Sequence, residues 1–480
     1  MVLRTIARKG VPDNAAALLL AALAAALAGS VLYSTIPIVS LLAIPCCFYF
    51  ISHPYQLLLV MVFLIPFNFV FTIGPVPVAM ELLKVLAWIP LLIHLHNTGQ
   101  RFTTSKYNKW LAVWAGILVL SVIRSTSLPY TIKDAVRIGS NLGLCYLVLN
   151  LVDSREKVSQ VLRVLTVSAF LVACYGFYQF AIQDYGGLFW IVNPRLDTSL
   201  APNRVAFWEW RGRIISVLTS ELELAHYFNL CLPVAVALWW TEGGKRVRSK
   251  WLWMAGSLLL GLILTFTFGA WLALLATLAC FALILEKRVW KPILVGTLII
   301  SLLAFLLVAG PLRPFVQDKL LGTGLGSAGF DIVARFDSWL FAMQVWWSHP
   351  IFGVGVGNFE KLEYEHEYLP SEWVQTGSTP QNAYVYLLAL SGVVGFLSML
   401  AILVGSVRSN LSLKRNPQFG LIALALAFAL TTVLFASLTD DGPLFGPHAA
   451  YLVWFFIGLS EALRNLASQD RDLSSQSPKC

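Results

Sequence analysis

The stretch Asn382–Val407 reads NAYVYLLALSGVVGFLSMLAILVGSV and contains no charged residue. About 20 consecutive apolar residues allow an α-helix to cross the hydrocarbon core of a bilayer. The stretch lacks the alternation of apolar and polar residues that a membrane β-strand needs. Asn382–Val407 therefore predicts a transmembrane helix.

Similar apolar runs recur along the chain. Hydrophobic residues make up 58% of the sequence and charged residues 12%, whereas a soluble domain has about 45–50% and about 25%. So few charges could not cover a water-facing surface, but a lipid-facing surface needs almost none. We expect an all-α fold, a polytopic transmembrane helical bundle of about 12–14 spans with one large external loop. Spans are predicted near Ala15–Tyr33, Thr35–Ile51, Tyr55–Ile73, Val76–Leu95, Trp110–Ile123, Ile132–Leu151, Val161–Ala181, Leu222–Trp240, Trp251–Phe266, Phe268–Leu285, Pro292–Pro311, Asn382–Val407, Phe419–Leu438 and Pro447–Leu463.

Basic residues form short clusters between the apolar runs, and the net charge is +9. A nucleic-acid-binding surface would gather its basic residues on one face, so we expect no nucleic-acid partner. Loops on the cytoplasmic side of a membrane are enriched in Lys and Arg. With a cytoplasmic N-terminus, the alternation of spans puts every short basic cluster and the C-terminal tail on that side. These clusters are Arg101–Lys109, Asp153–Lys157, Lys245–Lys250, Glu286–Lys291 and Arg408–Arg415.

Two long segments fall on the opposite, external side. The predicted organisation has N-terminal and central transmembrane helices in 1–311, with an external loop near 182–220. A large external (periplasmic) loop in 312–381, C-terminal transmembrane helices in 382–464 and a cytoplasmic tail in 465–480 follow.

A run of motifs spans Arg335 to Gly395. It consists of Arg335-Phe-Asp-Ser-Trp339, then His349-Pro-Ile-Phe-Gly-Val-Gly-Val-Gly-Asn-Phe359, then Gln381-Asn382 followed by Gly392 and Gly395. This run resembles the O-antigen ligase and O-antigen polymerase family of bacterial membrane glycosyltransferases. The resemblance implies an inner-membrane enzyme without a cofactor. Its expected function is the transfer of a polyprenyl-diphosphate-linked oligosaccharide to a glycan or lipid acceptor during polysaccharide biosynthesis. Membrane lipid and polysaccharide assembly proteins are the other expected partners.

Two upstream segments, Arg213–Tyr227 and Leu264–Leu272, resemble the family more weakly. The chain departs from the family pattern at two functional positions. A Ser-Arg pair becomes Thr267-Phe268, and a His-Asn pair becomes Gln381-Asn382. In the family that Arg is thought to hold the donor phosphates and that His to act near the acceptor.

External arginines are the candidates for holding the diphosphate. The guanidinium group donates two parallel hydrogen bonds to phosphate oxygens, and its charge can stabilise a departing diphosphate without a metal ion. Arg211 and Arg213 precede a predicted span, and Arg335 lies in the large loop. These arginines could instead bind lipid phosphates or acidic residues of their own loops.

Three candidates could act in catalysis. Gln381 cannot accept a proton near neutral pH, but it can hydrogen-bond a sugar hydroxyl, and Asn382 beside it is a candidate substrate-binding residue. His366 lies among glutamates that could equally form a solvated helical face. Asp440 lies in the last external loop with Asp441 and His448.

One pair of charges falls inside a predicted span. Glu81 and Lys84 are three residues apart and on one helical face, and charges at that depth are expected to be paired or to line a cavity. The pair is compatible with a structural ion pair or with a transport pathway. A membrane transporter, a non-catalytic relative of the family and a scaffold for polysaccharide export therefore stay open as alternatives.

Overall fold

The computed structural model describes residues 49–67, 72–73, 76–77, 79–182, 213–284, 328–359, 362 and 379–476. Nearly all regular structure in these residues is helical, and the exception is a two-residue antiparallel pair, β1 (Thr72–Ile73) and β2 (Val76–Pro77). The helices are α1 (Pro54–Leu64), α2 (Ala79–Leu86), α3 (Trp88–Thr98), α4 (Asn108–Ile123), α5 (Leu128–Leu151), α6 (Arg155–Ile182), α7 (Glu221–Thr241), α8 (Lys245–Leu264), α9 (Phe268–Ile284), α10 (Ala328–Ser348), α11 (Ala383–Ser412), α12 (Gly420–Ala436), α13 (Gly442–Phe445) and α14 (Ala449–Gln476).

Several helices have the length and composition to cross a membrane. In the described part of the chain, four helices meet both criteria, namely Arg155–Ile182, Glu221–Thr241, Val247–Leu264 and Ala383–Ser412. Shorter apolar helices accompany them: α1, α4, α9 and α12. The prediction of an all-α polytopic membrane protein is confirmed. The predicted spans Ala15–Tyr33 and Pro292–Pro311 lie outside the described residues.

Two predicted spans near the N-terminal end of the described residues are interrupted. The helix expected over Tyr55–Ile73 ends at Leu64, and Thr72–Ile73 is extended. The helix expected over Val76–Leu95 is divided at Ala87 into α2 and α3. Proline explains the division, because Pro90 has no N–H to donate to the carbonyl of residue 86 and its ring collides with that carbonyl.

Helix α7 lies at the centre of one half of the bundle. It packs against α6, α8 and α12, while α14 packs against α5 and α11 packs against α4, α10 and α12. Large apolar side chains on α8 and α9, such as Trp253 and Leu272, point away from this core and are exposed. Such an outer surface suits contact with lipid.

Helix α11 is broken at Gly392, which has φ 62° and ψ −169°. The segment that follows α10 crosses this break. The N–H groups of Val354 and Gly355 donate to the carbonyls of Ala389 and Leu390 at 3.0 and 2.9 Å. In the other direction, Val393 N donates to the Pro350 carbonyl at 2.9 Å and Val394 N to the Ile351 carbonyl at 3.2 Å. The extended segment therefore pairs with backbone groups on both sides of the break.

The glycines of this crossing are required by the close approach of two backbones. A Cβ added at Gly353 would lie 2.4 Å from the Leu390 carbonyl carbon, and one at Gly392 would lie 2.3 Å from the Ile351 carbonyl carbon. Both residues have positive φ, which glycine adopts without steric cost. The two glycines thus allow the segment after α10 to cross α11.

The intramembrane charges Glu81 and Lys84 are paired. Lys84 is buried, its Nζ donates to Asn141 Oδ1 at 2.7 Å, and it lies 3.8 Å from Glu81 Oε1. The same Nζ lies 4.9 Å from the centre of the Tyr451 ring. These contacts match the expected pairing and connect α2 with α5 and α14.

Candidate functional site

The first turn of α7 carries charged side chains into the bundle. Ser220 begins the helix, and its side chain accepts a hydrogen bond from Glu223 N at 3.2 Å. Glu223 and His226 are three residues apart and therefore share one helical face. Both side chains are buried, so each of them needs a polar partner.

The partners come from the connection between α12 and α14. His226 Nε2 lies 2.6 Å from Asp440 Oδ2, and His448 Nδ1 lies 2.8 Å from Glu223 Oε2. His448 N also donates to Glu223 Oε2, at 3.3 Å. Two carboxylate–histidine pairs thus join α7 to this connection, and we call Glu223, His226, Asp440, Asp441 and His448 the acid–histidine cluster.

Asp440 and Asp441 are adjacent in sequence but differ in environment. Burial raises the pKa of Asp440, but the hydrogen bond and charge of His226, the Gly442 N–H and the charge of Arg335 outweigh it and hold that pKa below its ordinary value. Burial and the neighbouring Asp440 charge raise the pKa of Asp441 to about 7, although Thr379 Oγ1 donates to its Oδ1 at 2.7 Å. Near neutral pH the two carboxyl groups therefore hold different proportions of proton.

Gly446 allows the connection to approach α7 closely. A Cβ at this position would lie 1.8 Å from Glu223 Oε1. Because a real Cβ could not occupy that place, any other residue would push the Glu223 carboxylate away from His448. The glycine is thus part of what holds this carboxylate–histidine pair together.

Arg335 reaches the same end of the bundle from α10. Its Nη1 donates to the Thr439 carbonyl at 3.1 Å, directly before Asp440. The sequence predicted Arg335 and Asp440 as site residues, and the structure places them next to each other.

Arg213 lies against the turn between α8 and α9. Its guanidinium donates to the carbonyls of Thr265 and Phe266 at 2.8 and 3.0 Å, and it pairs with Glu221 Oε1 at 2.7 Å. The side chain is 13% exposed. Arg213 therefore contacts residues 265–267, which directly precede Phe268, the position at which the resemblance implies an arginine.

Gln381 and Asn382 precede α11. Asn382 Oδ1 accepts hydrogen bonds from the N–H groups of Tyr384 and Val385 at 3.0 and 3.3 Å, so in the structure this side chain caps the helix. Gln381 has φ 46°, a left-handed conformation that is uncommon for a residue with a Cβ. Its Oε1 is buried and has no hydrogen-bond partner among the described residues.

The glycine-rich segment contacts this region through aromatic rings. Phe359 packs against Tyr386 with ring centres 5.2 Å apart, and Tyr386 packs against Phe445 at 4.9 Å. Asn358 Oδ1 accepts a hydrogen bond from Thr126 N at 3.1 Å. The segment is therefore anchored on α11 and on the connection before α5, and it supports α13 through these rings.

The other predicted site residues, Arg211 and His366, lie outside the described residues. Glu223 and His226 were not predicted as site residues from the sequence. The available signal was a carboxylate and a histidine three residues apart at the start of an apolar helix. Such side chains become buried in the bundle, and a buried charge is costly unless it is paired.

Comparison with known families adds one match. The family model described as O-antigen ligase matches residues 253–400, which include α9, Arg335, the glycine-rich segment and Gln381-Asn382. Every member of the acid–histidine cluster lies outside the matched residues. No curated protein matches the chain. Residues 253–400 of this all-α membrane protein are therefore similar to the O-antigen ligase family, the family that the motifs from Arg335 to Gly395 resemble.

Proposed function

We propose that this protein is a bacterial inner-membrane glycan polymerase or ligase, with both termini cytoplasmic. It transfers an oligosaccharide from a polyprenyl-diphosphate carrier to an external glycan or lipid acceptor during assembly of surface polysaccharide. The observation that carries the proposal is the similarity of residues 253–400 to the O-antigen ligase family, and Arg335 of this region lies directly beside the acid–histidine cluster.

Arg335 and Arg213 are proposed to hold the diphosphate. Arg335 is half-buried and donates to one carbonyl oxygen through Nη1, and a guanidinium has five N–H donors in total. Arg213 donates to Thr267 Oγ1 at 3.3 Å, one residue before Phe268, which replaces the arginine that the resemblance implies. Arg211 completes the proposed set from the sequence. Positive charge here would stabilise the diphosphate as it leaves the sugar.

The carboxylates of the cluster are proposed to face the sugars. Carboxylate oxygens accept hydrogen bonds from hydroxyl groups, and sugars present many such groups. Gln381 has a buried carboxamide oxygen without a partner among the described residues, which suits it to accept a hydrogen bond from an acceptor sugar. In this proposal Gln381 and Asp440 position sugar hydroxyls.

A membrane transporter is the second candidate. The broken helix α11 favours it, since transporters often bind substrates at the exposed backbone of interrupted helices. At Gly392, however, the segment 350–355 occupies backbone groups on both sides of the break. Those groups are not available to coordinate a transported ion, so we favour glycan transfer.

The test starts from a deletion strain of the source bacterium, complemented with wild type, Arg335→Ala or Arg155→Ala. Arg155 begins α6 and is exposed, so its variant is the matched control. We expect deletion and Arg335→Ala to remove long polysaccharide chains and to accumulate the lipid-linked oligosaccharide, while Arg155→Ala restores the wild-type profile. An unchanged glycan profile in the deletion strain, or full activity of Arg335→Ala, would contradict the proposal.

A further inference from the structure

We infer that His448 is the general base of the transfer, with its Nε2 accepting the proton of the acceptor hydroxyl and with Glu223 as its positioning residue. This inference rests on the proposed function. The proposed transfer requires a group that takes up the proton of the acceptor hydroxyl. Gln381 stands where the resemblance implies a histidine, and its carboxamide cannot take up that proton.

The orientation of the His448 ring supports this inference. Its Nδ1 lies 2.8 Å from Glu223 Oε2, and a carboxylate can only accept a hydrogen bond. In the neutral ring the proton therefore resides on Nδ1, and Nε2 carries the free lone pair. A histidine that donates from one nitrogen to a carboxylate and accepts a proton on the other has the arrangement of a general base.

Unpartnered buried polar atoms on this connection and on the segment bonded to it also support the inference. His448 is 0% exposed, and its Nε2 has no hydrogen-bond partner in the described part of the chain. Gln381 Oε1 and Ser437 Oγ are likewise buried and unpartnered within the described residues. Buried polar groups in native proteins normally have partners.

These three atoms belong to two segments that are bonded to each other. Ala383 N donates to the Ser437 carbonyl at 2.9 Å, and Thr379 Oγ1 donates to Asp441 Oδ1 at 2.7 Å. These three unpartnered groups therefore lie on two segments, 379–383 and 437–448, that are hydrogen-bonded side by side. Hydroxyl groups of an acceptor sugar would satisfy such a set of acceptors.

The step balances as follows. The acceptor oxygen forms a bond to the anomeric carbon of the donor, and the bond from that carbon to the diphosphate oxygen breaks with its electron pair going to the diphosphate. The hydroxyl proton moves to His448 Nε2, and the resulting imidazolium pairs with Glu223 before it releases the proton to water. The negative charge gained by the leaving diphosphate lies with Arg335 and Arg213.

The alternative is that His448 only closes the packing between α7 and α14. Asparagine separates the two roles, because its amide nitrogen can replace Nδ1 as the donor to Glu223 while nothing replaces Nε2. His96, an exposed residue on α3, provides the control variant His96→Gln.

The experiment supplements membrane vesicles of the deletion strain with purified full-length protein and measures released polyprenyl diphosphate. The donor is the lipid-linked oligosaccharide extracted from that strain, added at increasing concentration. General-base catalysis contributes about 10²–10⁴-fold, so we expect His448→Asn to lower kcat by that factor with little change in KM. We expect His96→Gln to match wild type and added imidazole to restore part of the activity of His448→Ala.

The pH profile gives a readout that a packing role would not move. Because protonation would remove the lone pair of a neutral imidazole base, wild-type kcat should show an acidic limb that His448→Asn lacks. The other charged or titratable groups of the region are Glu223 and His226 on α7, Asp440 and Asp441 on the connection, and Arg335 on α10. Two variants among these groups, Asp441→Asn and His226→Gln, should keep the acidic limb of the kcat profile.

Two results would overturn the inference while leaving the proposed function intact: a His448→Asn kcat within about threefold of wild type, well short of a general-base effect, or an unchanged acidic limb. Wild-type protein that releases no polyprenyl diphosphate, together with an unchanged polysaccharide in the deletion strain, would instead overturn the proposed function and this inference together.

Discussion

The crossing of two backbones at Gly392 makes a sharp prediction about stability. Replacing Gly392 with Ala would place a Cβ 2.3 Å from the carbonyl carbon and oxygen of Ile351. The obstructing atoms are backbone, so no side-chain rotation can relieve the contact. The variant should separate α11 from the segment 350–355.

The expected decrease in stability is the sum of the backbone strain and of the hydrogen bonds that break. A left-handed conformation costs an L-residue roughly 1–2 kcal/mol. The crossing contains the four backbone hydrogen bonds from Val354, Gly355, Val393 and Val394, each contributing about 0.5–1.5 kcal/mol net. If all of them are lost, Gly392→Ala should be less stable than wild type by roughly 3–8 kcal/mol.

The assay is thermal unfolding of purified protein in detergent, with Gly256→Ala in α8 as the control. A Cβ at Gly256 meets nothing within 4 Å, and replacing a mid-helix glycine with alanine should stabilise the protein by roughly 0.5–1 kcal/mol. Gly353→Ala, which acts on the same crossing from the other side, should behave like Gly392→Ala. A Gly392→Ala protein as stable as the Gly256→Ala control would refute the crossing as described.

Two further predictions concern the site. Burial and the charge of Asp440 raise the pKa of Asp441 to about 7, so the folded protein binds this proton more tightly than the unfolded chain does. The stability that Asp441 contributes is therefore present at acidic pH and is lost as pH rises towards 7. Asp441→Asn should therefore become progressively more stable relative to wild type between about pH 4 and pH 7, as measured by unfolding at several pH values; a constant difference would contradict this. Asn382 caps α11, so Asn382→Ala should lose about 1 kcal/mol of stability and Asn382→Ser much less; equal loss of polysaccharide in both variants at normal stability would point instead to contact with substrate.

Local motifs led to part of the candidate site. Arg335, Asp440 and His448 could be proposed from their type and predicted external position, and the structure brings them together at the connection between α12 and α14. Asn382 matched a family position, but its contacts are those of a helix cap. That difference could not be predicted, because a motif specifies the residue and not the atoms that its side chain meets.

The sequence by itself determined the membrane class, the helical fold and the similarity of residues 253–400 to O-antigen ligases. These depend on local composition, on the length of apolar runs and on motif spacing, all of which are properties of the unfolded chain.

Only the tertiary structure decided which charges meet. Glu223 and His448 are 225 residues apart in sequence, and nothing in either neighbourhood names the other as its partner. Their pairing arises because α7 and α14 pack with their N-terminal ends together and because Gly446 leaves room for the carboxylate. A buried carboxylate must find a donor wherever packing supplies one, so the site is a consequence of how the helices pack and could not be derived from any single segment.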